Sequence, residues 1–140
     1  MQLPIKAHYA TIAMLAIAKH FATGEQVPAR LIAGEHEIPS QFLGQILQQL
    51  RSAELIVSTR GANGGFRLAR APSAICVADI VDAVCGLACG AASTGSTTGV
   101  SQVVNEIWLE LAAQQREYLQ RLSLDLLLSR CQPAATMFYI

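Results

Sequence analysis

Apolar residues recur three and four positions apart over much of this chain, and the places where that rhythm breaks divide it into elements. Over residues 9–21, Ile12, Leu15 and Ala16 fall on one side of an Ala-rich stretch, which predicts a first helix ended by Thr23-Gly24-Glu25. Pro28 suits a first helical position, so residues 28–35 read as a short second helix whose length Gly34 limits. A third helix is expected from Pro39 or Ser40 to about Ala53. In it Leu43, Ile46, Leu47 and Leu50 form a stripe for burial, and Gln41, Gly44, Gln45, Gln48 and Gln49 form the opposite face.

The rhythm then becomes that of strands. Residues 55–59 and 66–69 flank Gly61-Ala62-Asn63-Gly64-Gly65, which predicts a hairpin in which Asn63-Gly64-Gly65 supplies the positive φ of a tight loop. Arg60 and Arg67 flank its tip. Val77, Ile80, Val81 and Val84 mark another amphipathic helix over 77–84, and the uncharged small-residue stretch 86–99 reads as a loop. From about Val100 a long helix is expected, with Val104, Trp108, Leu111, Gln115, Tyr118 and Leu122 alternately four and three residues apart, widened by Ile107 and Leu119. A helix beyond a finished core has little of its own chain left to cover, so that seam is expected to meet a second copy. Ser123 can cap a short helix over 124–128, and the tail after Cys131 is expected to fray.

Two short helices joined by a tight turn, the second presenting amides that can pair with adenine, form a helix-turn-helix; an Arg-flanked hairpin directly after it makes the arrangement a winged helix. The expected fold is therefore mainly α with a small β-hairpin wing and a long C-terminal dimerisation helix. Its parts are a DNA-binding domain over 1–84, an effector loop over 85–99, the dimerisation helix and a short helix over 100–130, and a tail over 131–140. The plainer alternatives are a merely solvated amide face and an ordinary surface hairpin.

Composition sharpens this picture in three ways. A hydrophobic content of 52% in 140 residues is ample for one packed core. The net charge of zero hides an asymmetry: residues 1–70 hold seven Lys/Arg against four Asp/Glu, and residues 71–140 hold three against six. Local basic charge is what phosphate responds to, and Arg51, Arg60, Arg67 and Arg70 are opposed only by Glu54 between 51 and 70. The uncharged apolar run 11–18 ends at Lys19 and is too short for a membrane span or an export signal, so a cytoplasmic protein is expected. An enzyme is not: no phosphate-cradling Gly motif, paired zinc-ligand spacing or catalytic carboxylate pair is found, and His8, His20 and His36 are scattered. A protein-interaction adaptor would account for the apolar tail but would leave the Arg-flanked wing without a purpose.

Several stretches together carry a family likeness: the start Met1-Gln2-Leu3 with Lys6 and Tyr9-Ala10, the run Gln41-Phe42-Leu43 through Gln45-Ile46-Leu47 to Leu50-Arg51, and above all the wing Arg60-Gly61-Ala62-Asn63-Gly64-Gly65-Phe66-Arg67-Leu68-Ala69. Over about residues 1–130 the chain resembles the Rrf2 family of bacterial transcription regulators. The resemblance implies a homodimer with crossed long helices that binds double-stranded DNA at a roughly palindromic operator, as a repressor in the expected case. It places Gln41, Phe42 and Gln45 at the recognition-helix contacts, Arg60 and Gly61 at the wing contacts, and Lys6 and Tyr9 near the backbone-contacting first helix. Arg51, Gly64, Gly65 and Arg67 complete the expected DNA face, the plainer readings being a core Phe42, a solvated Arg51 and glycines that serve only the turn.

The same resemblance bears on the four cysteines. Cluster-binding members place three cysteines in the loop before the long helix, whereas this chain has Cys85 and Cys89 and none over 90–99. His8 falls where some members supply a ligand from the other subunit. Cys85, Cys89 and a partner's His8 are the metal candidates, one ligand short of the four that an iron-sulfur cluster takes. An iron-sulfur cluster, a thiol switch and no cysteine-dependent sensing all stay open at this point. Cys76 is expected to be structural and Cys131 incidental.

Overall fold

The computed structural model describes residues 4–86 and 98–131; Met1-Gln2-Leu3, residues 87–97 with Cys89, and residues 132–140 lie outside the described residues, and with them most of the expected effector loop and the expected tail. The first helix, α1 (Ile5–Ala18), begins four residues earlier than its periodicity implied, because Pro4 occupies the N-cap and fixes the start. It buries Ala7, Ala10, Ala13, Met14 and Ile17, and small residues around much of its girth blur the amphipathic signal. After Ala18 the chain turns, with Gly24 at φ +70°.

α2 (Ala29–His36) follows Pro28 as its N-cap. Gly34 lies inside it and does not end it; the terminator is Glu37, in the left-handed conformation at φ 53°. α3 (Ser40–Ser52) buries the expected stripe, Leu43, Ile46, Leu47 and Leu50, each at most 2% exposed. A second left-handed residue, Glu54 at φ 62°, turns the chain from α3 into the wing.

The wing pairs β1 (Ile56–Thr59) with β2 (Gly65–Leu68) antiparallel, from Ile56 opposite Leu68 to Thr59 opposite Gly65. The positive φ is at Gly61 (119°), not in Asn63-Gly64-Gly65 as the sequence pattern suggested. The other two glycines answer to crowding instead. A Cβ on Gly64 would sit on the Thr59 carbonyl oxygen, and one on Gly65 would lie 2.7 Å from the backbone carbon of Val27. That close approach allows a pairing the sequence did not announce: Val27 N–H donates to Phe66 O at 2.8 Å, and Phe66 N–H donates to Val27 O at 2.9 Å.

A 3₁₀ turn (Pro72–Ala74) leads to α4 (Val77–Cys85), and α5 (Gly99–Gln120) and α6 (Leu124–Arg130) complete the chain. Ser123 caps α6 as expected, accepting from Leu126 N–H at 3.1 Å. Met14, Ile17, Ile32, Ile46, Leu50, Ile80 and Leu124 are among the fully buried side chains of the main core. α1 runs through its middle, against α3, α4, α6 and β2. Leu124 is 0% exposed, so α6 packs as part of this body. A smaller apolar cluster of Ala7, Val77 and Val81, joined by Cys85, Leu119, Leu122 and Leu127, seats the end of α5.

Candidate nucleic-acid interface

Burial of one side of α3 dictates what its other side offers. Gln41, Phe42, Gln45 and Gln48 are exposed, and Gly44 lies among them with open space where a Cβ would stand. Gln49 departs from the expected amide face: it is half-buried, and its Oε1 is shielded from solvent without a partner. Phe42 is 44% exposed and is not a core residue. Its ring lies 6.2 Å from that of Tyr9, tilted by 53°, and Tyr9 packs its other side on the core. Tyr9 thereby brings the start of α1 to the first turn of α3, with half-buried Lys6 one turn before it.

Arg51, at the end of α3, does not project freely. Its Nη1 donates to Ser58 Oγ on β1 at 3.3 Å, which ties the helix to the wing. Arg60 and Arg67 differ: both are exposed, and neither has a hydrogen-bond or ion-pair partner among the described residues. They stand on either side of a tip whose shape Gly61 and Gly64 permit and whose base Gly65 lets approach Val27. The hairpin thus presents two solvated guanidinium groups with their full complement of donors.

The expected dimer seam divides in two. α5 has no buried residue among the described residues. Val104 (41%), Trp108 (41%) and Tyr118 (58%) are exposed, as are Val100, Val103 and Ile107, whereas Leu111 and Gln115 are half-buried. Leu122 lies past the end of α5, in the turn to α6, and faces its own domain: it packs with Leu119 on Val77 and Val81, and its carbonyl accepts from Val77 N–H at 2.9 Å. A regular spacing cannot register that the helix stops at Gln120, so the sequence carried the seam too far. One contact here had no signal in the pattern at all: Arg116 on α5 meets Asp82 on α4, with Nη1 donating to Oδ1 at 2.7 Å.

Of the metal candidates, only Cys85 and His8 lie among the described residues of the chain. Cys85 ends α4, half-buried against the Ala7, Val77 and Val81 cluster, and Cys89 lies outside the described residues. His8 is exposed and borders an open apolar groove of about 780 Å³ shared with Ile5, Val77, Val81, Leu122 and Leu127. No group of three or more His, Cys, Asp or Glu side chains able to hold a metal occurs among the described residues. The two thiols of this part of the sequence are fewer than the four ligands a cluster takes, and one of them, Cys89, lies outside the described residues. Cys76 is the N-cap of α4: its backbone N–H donates to Asp79 Oδ2 at 3.2 Å, and its thiol accepts in return from the backbone of Asp79. Burial pushes that thiol above the usual range.

Comparison with known proteins agrees with this architecture. Residues 3–130 match the Rrf2 family, described as an iron-dependent transcriptional regulator. The chain is 33% identical over 133 residues to ORF2 of Azotobacter vinelandii, named as an HTH-type transcriptional regulator, covering 93% of this chain and 80% of that protein. Among solved structures it is similar to T. potens IscR, with a TM-score of 0.78 and 29% identity over 94% of this chain and 89% of that one. It is similar also to CymR, the global cysteine regulator of B. subtilis, with a TM-score of 0.78 and 25% identity over 93% and 98%. Among the described residues, no helix is long and apolar enough to cross a membrane. A helix-turn-helix with its amides outward, a wing of unpaired arginines and a match over nearly the whole length agree on one assignment: this chain belongs to the Rrf2 family of transcriptional regulators.

Proposed function

We propose that the protein acts as a homodimer that lays its two α3 helices in successive major grooves of a palindromic operator and represses by occupying a promoter. The observation that carries this reading is the pair of solvated, unpartnered arginines, Arg60 and Arg67, on a hairpin tied to the recognition helix through Arg51 and Ser58. In this arrangement Gln41 and Gln45 offer amide groups to base edges, with adenine the bidentate match, and Phe42 offers an apolar surface to a thymine methyl. Arg60 reaches the flanking backbone or a narrow minor groove. Lys6 and Arg67 neutralise phosphate, and Gly61, Gly64 and Gly65 shape the wing that holds the arginines.

The apolar stripe of α5 from Val100 to Trp108 supplies the dimer contact, with Leu111 and Tyr118 extending it. No step of this proposed function is routed through a metal, and none requires catalysis. The test begins with duplexes selected from a random pool by the purified protein, followed by titration with wild type and Arg60→Ala. Affinity should fall by about 1–3 kcal/mol, the range for losing an arginine that reads a base or groove. Equal affinity would remove the wing from the interface.

A further inference from the structure

We infer that Asp82 and Arg116 are positioning residues: they fix the angle at which α5 leaves the winged-helix body, and so the half-site spacing that the dimer accepts. This rests on the two-fold reading above and extends it to the question of what holds the two heads apart.

α5 is attached to its own body mainly at its far end. Of all the elements, α4 is the one against which it makes its substantial contact, and its first half, from Gly99 onward, carries exposed apolar residues and buries none. Two points make the attachment. Leu119 and Leu122 press on Val77 and Val81, and just past the helix Val77 N–H donates to Leu122 O at 2.9 Å; this seat pins the end of α5 and by itself leaves the rest of the helix free to swing about it. One turn nearer the start of α5, Arg116 Nη1 donates to Asp82 Oδ1 at 2.7 Å while Nη2 lies 2.7 Å from Oδ2. A planar guanidinium meeting a carboxylate through two parallel contacts restricts twist as well as distance, which a single ammonium contact would not. Among the described residues the other ion pairs are local in sequence, joining His20 to Glu25, His36 to Glu35 and Arg121 to Glu117. Among these described pairs, Asp82 with Arg116 is the one that joins separate helices.

Leverage turns this contact into a specificity device. From Arg116 to Val100 the helix is an arm of about 24 Å at 1.5 Å per residue. A change of about 10° at its pivot moves the far end by about 4 Å, close to the rise of one base pair. If the stripe near that far end is clasped by a second copy, the same rotation displaces the recognition helix relative to its mate. The apolar seat locates the arm, and the fork sets its direction.

The experiment uses the full chain with duplexes selected by the wild type, then re-made with the half-sites one base pair closer and one farther apart. Asp82→Asn and Arg116→Lys are compared with wild type; the second keeps the charge and loses the fork. Both variants are expected to sediment as dimers, melt within a few degrees of wild type and bind a single half-site equally. Their preference for the original spacing over the altered ones should fall by about threefold, within what an ion pair of this exposure contributes. Variants that keep the wild-type preference overturn the inference and leave the two-fold reading intact. A loss of affinity equal at every spacing also overturns it, assigning the pair to stability alone. A wild type that binds all three duplexes equally overturns the two-fold reading itself.

Discussion

Gly64 and Gly65 adjoin in the wing and are held to glycine by different neighbours, one across the hairpin and one outside it. Gly65 faces the backbone at Val27 and Pro28, which cannot swing aside as a side chain could. Gly65→Ala is therefore expected to break the Val27–Phe66 pairing and to destabilise the fold by about 1–3 kcal/mol, read as a lowered midpoint in urea. The sequence showed that glycines matter here but assigned them to positive φ, because the segment that crowds Gly65 lies far upstream in the chain. Gln41, Phe42 and Gln45 were legible for the opposite reason: their exposure follows from the helical period of Leu43, Ile46, Leu47 and Leu50 alone. Cys76 gives a second prediction at this scale. Its folded thiol titrates above the usual range because of burial, so in rising pH the unfolded chain loses that proton first. Its contribution to stability is complete below about pH 8.5, the ordinary thiol value, and declines above it. Cys76→Ser, which keeps an N-cap acceptor, should show a shallower alkaline loss of urea midpoint than wild type; equal slopes would refute the assignment.

α5 is the element whose sequence and surroundings disagree most within one chain. A helix of 22 residues with an apolar stripe and no buried side chain needs a cover that the described residues do not supply. Ile107 is 53% exposed, so Ile107→Asp should leave the monomer folded while raising the dimer dissociation constant by at least about 100-fold, since a carboxylate would then be trapped in an apolar contact. Sedimentation at micromolar concentration checks this, and an unchanged dimer would move the interface off this stripe. The stripe was readable because its period is unbroken from Val104 to Tyr118. Its limits were not, because Leu119 and Leu122 are drawn to Val77 and Val81 by a tertiary contact invisible to periodicity. Helix ends were hard to read for a related reason. Two of the chain reversals fall at Glu37 and Glu54, left-handed residues of a type that gives no glycine-like warning.

For the molecule as a whole, the zero net charge says little about its partner; the distribution of charge says more. The half that holds α3 and the wing is the basic half, and Arg60 and Arg67 there are unpaired. In a dimer whose Lys6, Arg60 and Arg67 each neutralise one phosphate, the logarithm of affinity should fall against the logarithm of salt with a slope of about −5. Arg60→Ala should flatten that slope by about 2, one phosphate per subunit. An affinity indifferent to salt would exclude the whole basic face. The fold that displays this face was legible in outline, as three helices, a hairpin, a fourth helix, a long helix and a short last one, because each of these is a local pattern. What joins them was not: Arg51 to Ser58, Asp82 to Arg116 and Val27 to Phe66 are contacts between elements that composition and spacing do not encode. The last of these has a consequence of its own. Because Phe66, one residue beyond the tip-side pair Thr59–Gly65, is joined to Val27 ahead of α2, the hairpin is anchored close beneath its loop, and exposed Ala62 and Asn63 can be rewritten without touching that anchor. If the wing meets DNA as proposed, its loop is an exchangeable fingertip on a fixed knuckle, a place to retune the protein for new flanking sequence without altering α3.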